Sequence, residues 1–207
     1  LHYPLRRQRQ MCIRDSQWPT QFPEFESTMQ RYQAELEVLA KYLMRGLALS
    51  LSLAENYFDD FCHDSLVTLR LLHYPPQPAN PEPNEKGCGA HTDFGALTLL
   101  LQDQQGGLQV WDQNSESWMD APPIEGTYVI NLGDLIARWT NNRFKSTLHR
   151  VINKSGKQRY SVPFFFGGNP DYQVQCLPNC KTENEPALFA PTTVEKHHIE
   201  MYRRTYG

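Results

Sequence analysis

From Phe25 onward the apolar residues Phe25, Met29, Tyr32, Leu36, Leu39, Leu43 and Leu47 recur at spacings of three and four. That is the period of one helical face, so a long amphipathic helix is expected there. Glu35, Glu37 and Lys41 fall off the stripe and suit solvent. The stretch Asn56-Tyr57-Phe58-Asp59-Asp60-Phe61 predicts a second, short helical turn.

Past this point the pattern turns to β. Leu66–Leu72, Ala96–Leu101, Leu108–Trp111, Tyr128–Leu132, Thr147–Ile152, Tyr160–Phe166 and Tyr172–Cys176 are short apolar runs rich in branched and aromatic residues. Gly106-Gly107, Asn114-Ser115, Gly126, Ser155-Gly156 and Gly167-Gly168-Asn169-Pro170 punctuate them. The Pro-rich loop from Pro75 to Pro83 forbids regular strand pairing. Many short strands with turn signals predict a mainly β fold with flanking α-helices, a sandwich or barrel with the double-stranded jelly roll among the options. A last helix is expected from Thr193 to about Arg204, with Thr192 or Thr193 as its N-cap. His197 and His198 would lie solvated on it. Asp134, after Gly133, is expected to cap the short run Leu135–Arg138.

Composition narrows the class. The chain has 207 residues, 40% of them hydrophobic and 12% aromatic, which suits one folded domain. A formal net charge of −3 without a block of Lys or Arg gives no reason to expect nucleic acid or an anionic membrane as partner. No apolar run approaches the roughly 18 residues of a membrane span, and no apolar h-region precedes a small-residue cleavage site. A cytoplasmic location is the expectation. Cys12, Cys62, Cys88, Cys176 and Cys180 are odd in number and scattered, which is not a disulfide framework. Cys176 and Cys180 lie four apart, but no second Cys or His pair nearby completes a zinc site.

The first 16 residues, LHYPLRRQRQMCIRDS, carry four arginines and no periodicity, and MCIRDS resembles translated adapter sequence. A non-native or disordered tail is expected over 1–16. A helical support segment follows over 17–64, the β core over 65–180 and a C-terminal helical segment over 181–207.

The candidate chemistry lies in the β region. His91 and Asp93 are two apart, in a strand or at its end, where alternation puts both on one face. His149 follows 56 positions after Asp93. Two neutral imidazoles and one carboxylate form the facial triad of non-haem iron oxygenases, which leaves the opposite positions of Fe(II) open for a co-substrate and O2. Arg159 and Ser161 again share a strand face. A forked guanidinium and a hydroxyl suit the distal carboxylate of 2-oxoglutarate.

These motifs stand among Tyr74-Pro75-Pro76, Gly107-Leu108-Gln109-Val110, Val129-Ile130-Asn131-Leu132-Gly133-Asp134 and Lys145–Val151. Together the stretch from about Leu66 to Pro170 resembles the 2-oxoglutarate/Fe(II) dioxygenase superfamily, in its isopenicillin N synthase-like branch. The resemblance implies a jelly-roll core, one Fe(II) held by His91, Asp93 and His149, and 2-oxoglutarate as co-substrate on Arg159 and Ser161. It also implies oxidation of a small organic molecule by O2, with release of succinate and CO2. Tyr74 sits where the family position suggests a contact to the co-substrate, or packs under the Pro loop. Phe94, Phe164 and Phe166 are candidates for the substrate pocket or the core, and Arg70 points into the site or pairs with a carboxylate. Members commonly carry a further N-terminal domain, which this chain is expected to lack, leaving the stripe Phe25, Met29, Tyr32 and Leu36 exposed. Other readings are an ethylene- and succinate-forming relative, a relative that uses no 2-oxoglutarate, a zinc hydrolase on the same ligands, and an inactive fragment or non-catalytic jelly-roll binding module.

Overall fold

A computed structural model of the protein describes residues 18–77, 87–153 and 155–206. The segment 1–16 singled out above lies outside them. The long helix forms as expected: α1 spans Phe25–Ser50. Its buried line is Leu36, Ala40, Met44 and Ala48, a strict i, i+4 ridge. Leu39, Leu43 and Leu47 pack beside it, partly buried. The two alanines let the helix lie close on the sheet beneath, a role that a search for large apolar residues overlooks. The stripe expected to be exposed is not. Leu36 is buried and Phe25, Met29 and Tyr32 are partly covered, with the Tyr32 hydroxyl donating to Tyr128 Oη at 3.1 Å. The stretch 51–64 forms successive turns rather than a helix. They drive Phe58 and Phe61 into the core against Trp139, with ring centroids 5.0 and 4.7 Å apart.

Two antiparallel sheets build the jelly roll. The strands of the larger are β1 (Leu66–Leu69), β2 (Leu72–Tyr74), β4 (Leu97–Gln102), β7 (Val129–Leu132) and β9 (Arg159–Gly168), in the order β1-β9-β4-β7 with β2 also on β9. The smaller sheet runs β3 (Cys88–His91), β8 (His149–Val151), β5 (Leu108–Asp112) and β6 (Ser117–Asp120). A short pair, β10 (Gln173–Val174) with β11 (Thr192–Thr193), stands apart. Helix α2 (Asp134–Trp139) follows β7, and α3 (Val194–Tyr206) closes the described chain. Thr193 caps α3 as expected, its Oγ1 accepting from the Lys196 N–H at 3.2 Å. Asp134 does not cap α2. Gly133 is the N-cap residue and no side chain bonds there.

Register in the larger sheet decides which residues face the site. Leu99 pairs with Phe164 and Leu97 with Phe166, and these four join the α1 ridge in the core. The alternate positions face the other way. Thr98 lies opposite Phe165 and Asn131, and Gln102 opposite Ser161. Thr68 pairs with Phe165, and Tyr74 with Arg159. One face of the sheet therefore carries the core and the other carries the polar and candidate binding groups.

Gly133 fixes the corner between β7 and α2. A Cβ there would fall on the carbonyl oxygen of Gly95 and lie 2.7 Å from that of Asp93. The close approach lets Asp134 N donate to Asp93 O at 2.8 Å and Gly133 N to Ala96 O at 2.9 Å. The turn that carries Asp93 is thus pinned by main chain.

Candidate metal and co-substrate site

His91 ends β3 and His149 begins β8, and the two are register partners across those strands. Their rings lie 4.3 Å apart, centroid to centroid. Each imidazole is oriented by its own backbone. His91 Nδ1 lies 2.8 Å from Gly89 O, and His149 Nδ1 lies 2.9 Å from Thr147 O. With Nδ1 turned to a carbonyl, Nε2 is the nitrogen left on each ring to face a metal.

Asp93 lies past the strand end, in the turn before β4, so strand alternation is not what aims it. Its Oδ2 accepts from Thr98 Oγ1 at 2.6 Å and from Asn131 Nδ2 at 2.8 Å. These two donors are themselves cross-strand partners on β4 and β7. The clamp leaves Oδ1 facing the imidazoles, 3.8 Å from His91 Nε2 and 3.9 Å from His149 Nε2. One donor atom from each of the three residues lies within 4.8 Å of the others. Among the described residues this is the only group of three or more such side chains within metal-binding reach. Two oriented imidazoles and a carboxylate with one oxygen already satisfied fit a divalent metal of the iron class. Asp93 is 6% and His149 14% exposed, against 39% for His91, so the cluster opens on the His91 side.

The pKa of His91 is raised from 6.5 to about 9, chiefly by the Cys88 Sγ contact at 3.7 Å, with the Gly89 carbonyl and Asp93 adding to it against burial. The metal-free site therefore holds a proton that ligation must displace. Burial raises the Asp134 carboxyl, which accepts from Thr92 Oγ1 at 3.2 Å instead of capping its helix.

Arg159 is fully buried. Its Nε donates to Gly106 O at 2.6 Å, Nη1 to Ser161 Oγ at 3.2 Å and Nη2 to Gln102 Oε1 at 3.1 Å. Every one of those partners is neutral, and no ion pair to Arg159 occurs among the described residues. Burial lowers its pKa. A buried cation without a counter-ion is strongly unfavourable unless an anion completes the site. Tyr74 stands against it, with the guanidinium carbon 4.9 Å from the ring centroid. Burial raises the phenol pKa and the Arg159 charge opposes the rise.

The structure splits the candidate pocket residues. Phe164 and Phe166 are fully buried on the α1 side of the sheet and line no pocket on the metal's face. Phe165, between them, faces the other way, with Arg70 5.5 Å from its ring centroid. In Arg159-Tyr160-Ser161-Val162-Pro163-Phe164-Phe165, the phenylalanine with the parity of Arg159 and Ser161 is Phe165. That signal was available in the sequence. Phe94 is half-buried, and its carbonyl lies 3.0 Å from His197 Nε2. His197 is 4% exposed rather than solvated, and burial pushes its pKa down to about 4. Thr98 and Asn131, which hold Asp93, were given no role from the sequence because neither is a ligand type, although Asn131 stands within one of the motifs. A cavity of about 410 Å³ lies beside the donors rather than at them, lined by Asp134, Arg138, Lys145, Ser146 and His197 among others. It is not where the metal-binding chemistry is concentrated.

Comparison with known proteins bears on this geometry. The family model of the 2OG-Fe(II) oxygenase superfamily matches residues 62–168. The 2-oxoglutarate-Fe(II) type oxidoreductase hxnY of Emericella nidulans is 48% identical over 196 residues, which are 93% of this chain and 56% of that protein. A 2-oxoglutarate-Fe(II) type oxidoreductase of Aspergillus fumigatus is 44% identical over 201 residues, 96% of this chain and 60% of its own. The crystal structure of a full-length Neurospora crassa protein in complex with alpha-KG superposes with a TM-score of 0.85 at 34% identity, over 92% of this chain and 62% of that one. The chain thus spans somewhat more than half the length of these relatives.

Proposed function

This chain belongs to the 2OG-Fe(II) oxygenase superfamily, and on that premise we propose that it oxidises a small organic molecule with O2 while converting 2-oxoglutarate to succinate and CO2. The observation that carries the reading is the convergence of His91 Nε2, Asp93 Oδ1 and His149 Nε2, each held by a named partner on its other side. Fe(II) bound there would supply the redox chemistry that couples decarboxylation of the co-substrate to oxidation of the substrate.

The residues do the rest. His91 and His149 offer neutral nitrogens, and Asp93 offers one anionic oxygen that offsets part of the metal charge. Arg159 and Ser161 take the distal carboxylate of 2-oxoglutarate, which supplies the counter-ion the buried guanidinium lacks. Gln102 and the Gly106 carbonyl keep the guanidinium aimed before the acid arrives. Tyr74 closes over it. Pro163 and Phe165 share the same face of β9 and keep that side of the site apolar. A zinc hydrolase on the same three ligands would leave the buried Arg159 without a purpose.

Residues 65–180 carry the chemistry in this reading, with 17–64 and 181–207 as helical flanks. The partners are a small-molecule substrate and O2. No helix among the described residues is long and apolar enough to cross a membrane. A cytoplasmic location is part of the proposal, supported by the free thiols of Cys62, Cys88, Cys176 and Cys180.

The test is anaerobic titration with Fe(II) and 2-oxoglutarate, followed by O2 and a succinate assay across candidate substrates. Saturable binding of both and O2-dependent succinate are expected. His91→Ala, Asp93→Ala and His149→Ala should each abolish turnover, and full activity with native iron content in any of them would overturn the triad.

A further inference from the structure

The cavity of about 410 Å³ beside the metal donors carries positive charge that neither the metal nor the co-substrate uses. Arg138 reaches it from the last turn of α2. Its Nη2 donates to Ala190 O at 2.6 Å, and its guanidinium lies 5.3 Å from the Phe189 ring centroid. The Nε atom is buried without an acceptor. Lys145 enters from the segment between α2 and β8, and its Nζ donates to Gln113 Oε1 at 2.6 Å. Both cations are thus aimed by neutral groups. Neither has a carboxylate within ion-pairing distance among the described residues.

The acids on the same walls leave that charge uncancelled. Glu200 of α3 is paired with Arg204 of the same helix, which adds a third cation to the cavity. Asp134 accepts from Thr92, which lies between His91 and Asp93, and burial raises its carboxyl pKa. His197 is neutral at ordinary pH, its pKa pushed down to about 4 by burial. Burial lowers the Arg138 pKa as well, against the attraction of Glu200. The guanidinium is therefore partly withdrawn from water without full compensation. An anion in the cavity supplies what these cations lack. A volume of several hundred Å³ suits an organic molecule rather than a bare inorganic ion.

We propose that this cavity is a second ligand site, separate from the metal and co-substrate groups, that takes a small organic dianion of the phosphate monoester or dicarboxylate class. Arg138 grips an acidic group by a forked, charged contact, and Lys145 adds a point charge from a different element. Phe189 offers apolar surface to the carbon skeleton. The site does not depend on the function proposed above. Its walls nevertheless reach the candidate metal donors. Asp134 N donates to Asp93 O, and Lys145 and Ser146 lie on the segment that leads into His149. An occupant therefore bears on the supports of two of the three donors.

The experiment uses the 207-residue chain with Fe(II) and saturating 2-oxoglutarate under anaerobic conditions, so that Arg159 is already engaged. Calorimetry then measures binding of phenyl phosphate and isophthalate, with benzyl alcohol as the uncharged counterpart. One of the dianions is expected to bind saturably, about tenfold more tightly than benzyl alcohol, and to weaken as salt is added. The tighter of the two assigns the class. Arg138→Gln should weaken that binding about tenfold, with 2-oxoglutarate binding as in the parent. Lys145 is exposed, so Lys145→Gln reads the site even if Arg138→Gln disturbs α2, and it should weaken the dianion about threefold. No binding of either dianion, equal affinity for benzyl alcohol, or an affinity unchanged in either variant would each overturn the proposal.

Discussion

Arg159 and His91 show how single side chains set what the site can accept. Arg159 is buried and its guanidinium donates only to neutral groups, so its truncation should act on the co-substrate rather than on the metal. A hydrogen bond to a charged group contributes about 1.5–3 kcal/mol. Arg159→Ala is therefore expected to weaken 2-oxoglutarate binding about ten- to a hundredfold, with Fe(II) binding nearly unchanged, as read by separate anaerobic titrations. An unchanged 2-oxoglutarate requirement would mark a relative that does not use this acid. His91 responds to pH. Its pKa is raised to about 9 in the metal-free chain, above its ordinary 6.5. The stabilisation that this proton gives the metal-free fold is fully present below about 6.5 and is lost as pH rises through about 9. The metal follows the opposite course, because it binds only the neutral ring. Apparent Fe(II) affinity should climb with pH until about 9. Cys88→Ala removes the largest cause of the raised pKa, so the climb should finish at lower pH. Fe(II) titrations across that range, in both proteins, check the sign.

The elements differ in how openly the sequence declares them. The long helix and most strands of the larger sheet are legible because burial on one face imposes a period. The candidate ligands are legible because His91, Asp93 and His149 occur in one order with Arg159 and Ser161, where a lone His-x-Asp pair would be a weak signal. The chain is less informative where small residues do the packing. The α1 ridge includes Ala40 and Ala48, and no hydrophobicity pattern ranks an alanine above a leucine. Strand β6, Ser117–Asp120, has three exposed residues in four and no apolar run to reveal it. It exists by pairing with β5, including Trp111 opposite Trp118. The site face of β9 is hard to read for a different reason. Three consecutive phenylalanines look alike until alternation is counted from Arg159, which sends Phe164 and Phe166 to the core and Phe165 to the site. The corner between β7 and α2 tests how strictly the elements must meet. Gly133→Ala would drive a methyl into the carbonyls of Gly95 and Asp93. Overpacking of this kind costs about 1–3 kcal/mol, which for a chain of this length lowers Tm by roughly 2–12 °C. Thermal unfolding and Fe(II) affinity should both suffer, and a variant as stable as the parent would show that the turn relaxes freely.

Among the described residues, the buried core is assembled from residues between Leu36 and Val194. We propose that residues 1–16 are not native sequence. Their deletion is expected to leave solubility and Tm unchanged, and a marked fall in Tm on deletion would show that the tail packs and belongs. The two sheets meet differently at the site than in the core. His91 and His149 belong to the smaller sheet, whereas Asp93 is tied to the larger one through Thr98 and Asn131. An ion gripped by all three is a rivet through both layers. A substitution that shifts one sheet against the other at this point is therefore expected to weaken Fe(II) binding even where it touches none of the three donors.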